Sequence, residues 1–194
     1  MKLLIFDTET TGLPKMKLLK ETVEFWPYMV QFSFLVFDVD TYAYQEFDYV
    51  IRCPIPIAND HIHGITSSMN TKRGFDFSDI YPIFEECYKQ ADLCIGHNLS
   101  FDIDMLRAEC LRIGKEFRMD IPSYCTMKSC TVLCALPNHK WPTLLELHRH
   151  LFQESPSDLH NSMIDVWACL RCYLKIMYQY DITDKIKKIK LLLK

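Results

Sequence analysis

Asp7-Thr8-Glu9 stands at the end of the apolar run Leu3-Leu4-Ile5-Phe6. On a strand, residues i and i+2 share a face, so both carboxylates would project together. Two close carboxylates raise each other's pKa unless a cation lies between them, and hard oxygen ligands suit Mg²⁺ or Mn²⁺. Taken alone, the pair fits equally an ordinary acidic strand end before the turn at Thr11-Gly12. A second candidate is Asp102 in Gly96-His97-Asn98-Leu99-Ser100-Phe101-Asp102, where a strand runs into a polar loop and a helix. Ser100 or Asp102 could instead cap that helix, and Asp104 competes as the acid. The third candidate is His160-Asn161-Ser162-Met163-Ile164-Asp165. Asn161 is a good N-cap, which puts Asp165 one turn into a very apolar helix, where an unpaired carboxylate would be costly. His160 precedes that helix on a loop, either as a general base beside an activated water or as an ordinary exposed histidine.

Those acids need elements to hold them, and α/β folds gather their sites at strand ends and helix starts. Residues 2–9 read as a buried strand that is acidic at its end. Residues 29–38 and 42–52, rich in aromatic and β-branched residues, read as two more, joined by the polar turn Asp38-Val39-Asp40-Thr41 into an antiparallel hairpin. Pro14 to Pro27 is a loop with room for a short helical piece, and another loop follows with Pro54 and Pro56. Ile80, Ile83, Phe84, Cys87 and Tyr88 have helical spacing, with Ser78 as N-cap. Leu93 to Gly96 predicts a short central strand, and Ile103, Leu106, Cys110 and Ile113 a helix ended by Gly114. A further strand falls near Tyr124-Cys125-Thr126. Thr143-x-x-Glu146 is a capping box, and 162–180 is apolar almost all round, as a long helix packed on a sheet would be. The order predicts an α/β layer fold with a mixed sheet, in one domain over residues 1–180, then a short basic amphipathic tail over 181–194.

Composition sets the outer limits. The 194 residues are 49% hydrophobic and 24% charged, both ordinary for a soluble globular protein. No apolar run is long enough to span a bilayer, and the apolar start is interrupted at Asp7, unlike a signal peptide. The nine cysteines are scattered, which fits reduced thiols inside a cell, cytoplasmic or nuclear. Cys169-x-x-Cys172 has redox or zinc spacing, but no second pair matches it, so it reads as two small buried hydrophobes.

Together the three acidic segments resemble the DEDD exonucleases of the DnaQ type, in the histidine-bearing DEDDh subgroup. Phe6-Asp7-Thr8-Glu9-Thr10-Thr11-Gly12-Leu13 is similar to that family's first motif, and Gly96-His97-Asn98-x-x-Phe101-Asp102 to its second. His160-x-x-x-x-Asp165 is similar to the third, and His63-Gly64-Ile65-Thr66 resembles a segment between them. The resemblance runs in order over about residues 1–180. It implies a ribonuclease-H-like fold, a central five-stranded mixed sheet whose first three strands are antiparallel. It implies 3′→5′ hydrolysis at nucleic-acid 3′ ends, releasing nucleoside 5′-monophosphates with two divalent ions, Mg²⁺ or Mn²⁺. Asp7, Glu9 and Asp165 would bind one ion. Asp7 would also touch the second, which Asp102 supports, and His160 would deprotonate the attacking water. Thr10, Gly12 and Leu13 would lie at the terminal nucleotide, with His97, Asn98 and Phe101 as further substrate contacts. Ser162-Met163-Ile164 departs from the small residues often found before the last aspartate, which leaves the packing beneath His160 open.

A formal charge of −3 runs against the basic footprint of a nucleic-acid binder, although clustered metal-holding carboxylates lower that total. Lys72, Arg73, Lys140, Lys185, Lys187, Lys188 and Lys190 are candidate phosphate contacts or plain surface charges. Trp141 reads as a core residue first and a base-stacking one second. Single-stranded DNA is the expected substrate, because the first motif and the segments Cys125-Thr126-Met127 and Lys140-Trp141-Pro142 resemble proofreading and repair relatives. That leaves a polymerase partner open, and RNA is the alternative substrate. Two other readings stand apart. An aspartyl-nucleophile phosphatase shares Phe6-Asp7-x-Glu9-Thr10 after a strand but would need a second aspartate, a later lysine and paired acids. A binding module that has kept the fold without catalysis is opposed by the presence of all five catalytic residue types.

Overall fold

The computed structural model describes residues 1–18, 20–156 and 159–193. Alternation in the first strand decides the architecture. In β1 (Lys2–Thr10), Leu3 and Ile5 point to one face and Leu4 and Phe6 to the other, and all four are buried. A strand buried on both faces needs a layer on each side. β1 pairs antiparallel with β2 (Met29–Asp38), and β2 with β3 (Tyr44–Val50), as the hairpin reading predicts. Next come α1 (Asp60–His63), α2 (Ser67–Arg73), α3 (Phe77–Lys89), β4 (Leu93–Gly96), α4 (Leu99–Arg112) and β5 (Ser123–Cys125). β4 and β5 join in parallel, giving the strand order β3-β2-β1-β4-β5. Then follow α5 (Thr126–Ser129), α6 (Thr131–Cys134), α7 (Leu144–Phe152), α8 (Ser162–Tyr178) and α9 (Lys187–Leu192). This is the five-stranded mixed sheet expected, with α3 and α4 on one face and α7 and α8 on the other.

On the α3 side, Phe6, Phe32, Phe34 and Phe84 meet ring to ring, with centroids 5.0–6.1 Å apart. Such pairs add about 0.5–1.5 kcal/mol each beyond simple burial. Across the sheet, Trp167, Leu170 and Leu174 of α8 share a core with Leu3, Ile5, Leu35 and Phe37. Burying each side chain of this size stabilises the fold by about 1.5–3 kcal/mol.

Several local expectations are corrected. Beyond the loop of Pro54 and Pro56 come two short helices that were not expected, α1 and α2. Gly64, at φ 75, is the left-handed C-cap of α1, and Thr66 caps α2 by accepting from Met69 N. Turn chemistry of this kind leaves no apolar periodicity, and neither do α5 and α6 at four residues each. α3 starts at Phe77 behind Asp76, so Ser78 sits in its first turn rather than capping it. Neither Ser100 nor Asp102 caps α4, whose N-cap is Asn98, left-handed at φ 62. A Cβ at Gly96 would come within 2.8 Å of Leu99 Cδ1 and 3.2 Å of Leu99 Cβ, so the buried Leu99 packs closely on this turn. Apart from these corrections, Ile182, Ile189 and Leu193 of the basic amphipathic segment are buried in the α8 core, and Lys188 pairs with Glu46.

One arginine ties down the loop between β1 and β2. Arg112, the last residue of α4, donates to Glu109 at 2.6 Å and to the carbonyls of Val23, Trp26 and Pro27 at 2.8–3.1 Å. Its guanidinium also lies 4.1 Å from the centre of the Tyr28 ring, and Glu109 accepts in turn from Met29 N. Arg112→Ala is expected to lower unfolding stability by about 3–5 kcal/mol, because it leaves Glu109 buried without its cation. Arg112→Lys should restore little, since an ammonium lacks the fork that reaches several acceptors at once. Urea unfolding measures both.

Candidate active site

Parity along β1 sends Asp7 and Glu9 the way of Leu3 and Ile5, toward α8, and sends Thr8 toward α4. The first four amides of α8 are all satisfied. Gln31 Oε1 accepts from Ser162 N at 3.4 Å, and Asn161 Oδ1 from Met163 N and Ile164 N at 3.2 and 3.4 Å. The Asn161 carbonyl accepts from Asp165 N at 3.0 Å. Asn161 is therefore the N-cap, and Asp165 lies one turn in, beside Glu9 and in the field of Asp7. The Ser162 hydroxyl donates to the Asp7 carbonyl at 2.7 Å, pinning helix to strand. His160, left-handed at φ 83, donates its amide to Asp165 Oδ2 at 3.2 Å. Ligand atoms of Glu9, His160 and Asp165 all lie within 4.8 Å of one another.

The fourth carboxylate arrives from the other layer. β4 pairs with β1 only over residues 3–5 and stops at Gly96, so β1 runs on without a neighbour on that side. Asp102, 2% exposed, takes the vacant place: its Oδ1 accepts from Thr8 N at 3.1 Å and from Thr8 Oγ1 at 2.8 Å. Asp104, the competing acid, pairs instead with Arg107 at 3.0 Å on the surface.

Among the described residues, no lysine or arginine pairs with any of the four acids. Burial and the neighbouring acids, Asp102 foremost, hold Asp7 well above the usual carboxylate range. Burial, then Asp165 and Asp102, pushes Glu9 up to about 8. Burial lifts Asp102 to about 7 against the pull of the Thr8 bonds, and lifts Asp165 to about 7 against the His160 amide. Acids that cannot all ionise together while sharing one cleft fit a hard divalent cation, whose charge would reverse that penalty.

The cleft has a volume of about 610 Å³, and its apolar wall includes Leu13, Phe101, Met127, Trp141 and Leu145. Leu13 is 79% exposed and Trp141 56%. The expectation of a core role for Trp141 is corrected: it stands on the loop before α7, outside both cores, with Lys128 Nζ 5.9 Å from its ring centre. Asn98 and His97 also line the cleft. The His97 ring is already engaged, however, with Nδ1 2.9 Å from Thr126 Oγ1 and Nε2 3.0 Å from the Pro142 carbonyl. Burial lowers its pKa to about 4. A neutral ring with its proton on Nε2 satisfies both contacts, and His97 so clamps the β4 turn to α5 and to the Trp141 loop. Thr10 and Gly12 are not part of the cleft wall. The Thr10 hydroxyl donates to the Gly12 carbonyl at 2.7 Å and shapes the turn that presents Leu13. Of the basic candidates, Lys140 pairs with Glu146 and Lys188 with Glu46. Cys169 and Cys172 are buried, which raises both thiols, and all nine cysteines are free. Thr8, Gln31 and Ser162 were given no bonding role from the sequence, although Ser162 stood in the departure beside His160. A polar Gln31 inside an apolar strand and a hydroxyl in the first turn of an apolar helix were the available signals.

Clustered acids fit for a cation, with a histidine at their rim on a ribonuclease-H-like sheet, mark a metal-dependent nuclease. The model of the RNase_T exonuclease family matches residues 4–173. The chain belongs to that exonuclease family. Among solved structures it is similar to the nuclease domain of 3′hExo, a DEDDh family member bound to rAMP. The identity is 14% over 92% of each chain and the TM-score is 0.72, a likeness of fold. No curated protein matches the chain by sequence. Among the described residues, no helix is long and apolar enough to cross a membrane.

Protons and a cation compete for these carboxylates. A carboxylate whose pKa is raised on folding costs stability as pH climbs from its unfolded value, about 4, through the folded one, here about 7 to 8. The metal-free protein loses that stability across this window, and a bound cation returns it. Mn²⁺ is therefore expected to raise the Tm little at pH 5 and clearly more at pH 8, where an excess of a hundred times Kd is worth about 2.7 kcal/mol. A Tm shift of equal size at both pH values in scanning fluorimetry would count against the cation site.

Proposed function

We propose that this exonuclease works 3′→5′ on single-stranded DNA with two divalent ions, Mg²⁺ or Mn²⁺, and releases nucleoside 5′-monophosphates. The observation that carries the reading is the meeting of Asp7, Glu9, Asp102 and Asp165 from both layers at one end of β1, with His160 against Glu9 and Asp165. Asp7, Glu9 and Asp165 would hold one ion, and Asp7 with Asp102 the second. Such ions, when bound, neutralise the phosphate and acidify the attacking water. Thr8 fixes Asp102 through Oδ1, which leaves Oδ2 for a ligand. The exposed Leu13 and Trp141 offer apolar faces to a base at the chain end. His160 is exposed on its loop and lies near the acids, so its imidazole takes the proton of the attacking water.

The DNA reading is supported by the segments around Met127 and Trp141, which resemble those of proofreading and repair relatives and both contribute to the cleft wall. A proofreading or repair setting, and a polymerase partner, belong to that reading. The nine free thiols support an intracellular location. RNA is the second reading, favoured by the rAMP bound in the nuclease of similar fold.

Digestion of 3′-labelled and 5′-labelled DNA and RNA, single-stranded and duplex, separates these outcomes. The expected result is Mg²⁺-dependent shortening from the 3′ end, fastest on single-stranded DNA. Faster loss of RNA adopts the second reading, and undiminished digestion in EDTA rejects both. Asp165→Ala should remove detectable turnover with the circular dichroism spectrum unchanged, whereas His160→Ala should lower kcat by about 10²–10⁴-fold.

A further inference from the structure

The sheet face beneath α8 is apolar at Leu3, Ile5, Leu35 and Phe37 and then changes character. Register makes Asp48, Ser33 and Asp7 neighbours on three adjacent strands, and sets Gln31 opposite Glu9. Gln31 is 4% exposed, and Ser33 and Ser162 are fully buried. A buried amide or hydroxyl costs free energy unless it is bonded. Here two of them share one acceptor: Gln31 Nε2 and Ser33 Oγ each donate to Asp48 Oδ1 at 2.8 Å. That bond fixes which way the Gln31 amide is turned, and its Oε1 accepts from Ser162 N, the first amide of α8. Ser162 then donates its hydroxyl to the Asp7 carbonyl. The contacts run unbroken from the edge strand, through β2 and the start of α8, to the backbone that carries the first acid. None of the four residues lines the cleft.

We propose that Asp48, Gln31, Ser33 and Ser162 are positioning residues for the divalent cation, setting the spacing of α8 against β1 and so of Asp165 against Asp7 and Glu9. The proposal rests on the metal-dependent reading above. Its physical basis is the repulsion among those acids in their ionised form, which opposes the close approach of α8 to β1 that the Ser162 hydroxyl holds. A lysine placed between them would oppose that push but would also neutralise the carboxylates and compete with the cation. A neutral hydroxyl and a neutral amide hold the helix without competing. Asp48 supplies the acceptor that keeps the amide in its working orientation.

Calorimetric titration of Mn²⁺ into the full chain, beside the Tm measured in EDTA, tests this. Ser162→Ala is expected to raise the Mn²⁺ Kd about tenfold, the lower end of what losing a partner behind a metal ligand costs. On a single-stranded oligonucleotide it should lower kcat and leave KM near wild type. Ser162 is buried, so Asp48 on the edge strand provides the second test. Asp48→Ala should reproduce the loss of Mn²⁺ affinity, and Asp48→Asn, which keeps an acceptor oxygen, should restore it. Wild-type Mn²⁺ affinity in a folded Ser162→Ala or in Asp48→Ala overturns the proposal, as does Asp48→Asn binding as weakly as Asp48→Ala. A wild-type chain that binds no Mn²⁺ overturns the metal-dependent reading itself.

Discussion

Like charges gathered in a cleft repel, and the parts around this cleft are arranged to withstand that push. Two carboxylates 4 Å apart at the polarity typical near a protein surface cost each other about 4 kcal/mol, and four of them share this space. No positive side chain among the described residues answers them. What holds them is neutral hydrogen bonding: Thr8 on Asp102, the Ser162 hydroxyl on the Asp7 carbonyl, the His160 amide on Asp165, and Asn161 at the start of α8. The two apolar cores supply the stability that lets these contacts stand.

A strand buried on both faces makes the convergence possible. α8 and α4 belong to opposite layers and would never meet across an unbroken sheet. They reach the same place because β4 ends while β1 continues. The clamps on either side keep that gap in shape. Arg112 gathers three carbonyls of the β1–β2 loop, and His97 ties the β4 turn to the loop bearing Trp141. The acids bordering the gap are held by the chain's own contacts, so a cation bound there would spend little of its binding energy on ordering them.

Elements with strong periodicity or standard caps were legible from residues alone. The hairpin of β2 and β3, the capping box at Thr143 and the Asn161 cap all stand where their side chains imply. Strand parity puts Asp7 and Glu9 on one face and the Asn161 cap puts Asp165 one turn into α8, both local readings, whereas for Asp102 and His160 the residues alone left a helix cap and an exposed loop histidine open. What stayed hidden depends on contacts across the fold. Asp102 stood equally as a candidate acid and as a helix cap, and its bond to Thr8 across the gap beside β1 had no local signal. The hold of the Pro142 carbonyl on the His97 ring, 45 residues away in sequence, leaves no local signal. Trp141 looked like core by residue type, yet it lies outside both clusters. α1 and α2 were unreadable because a left-handed glycine and one threonine cap, not an apolar stripe, define them.

The gap beside β1 has a bearing on how the protein keeps to itself. A strand running past its neighbour exposes a row of unpaired backbone donors, the kind of edge onto which another chain can add a strand and begin to aggregate. Asp102 takes the amide of Thr8 and, buried there, occupies the place where an incoming backbone would have to lie. One buried acid so leaves the Thr8 amide closed to strand pairing at this rim of the sheet.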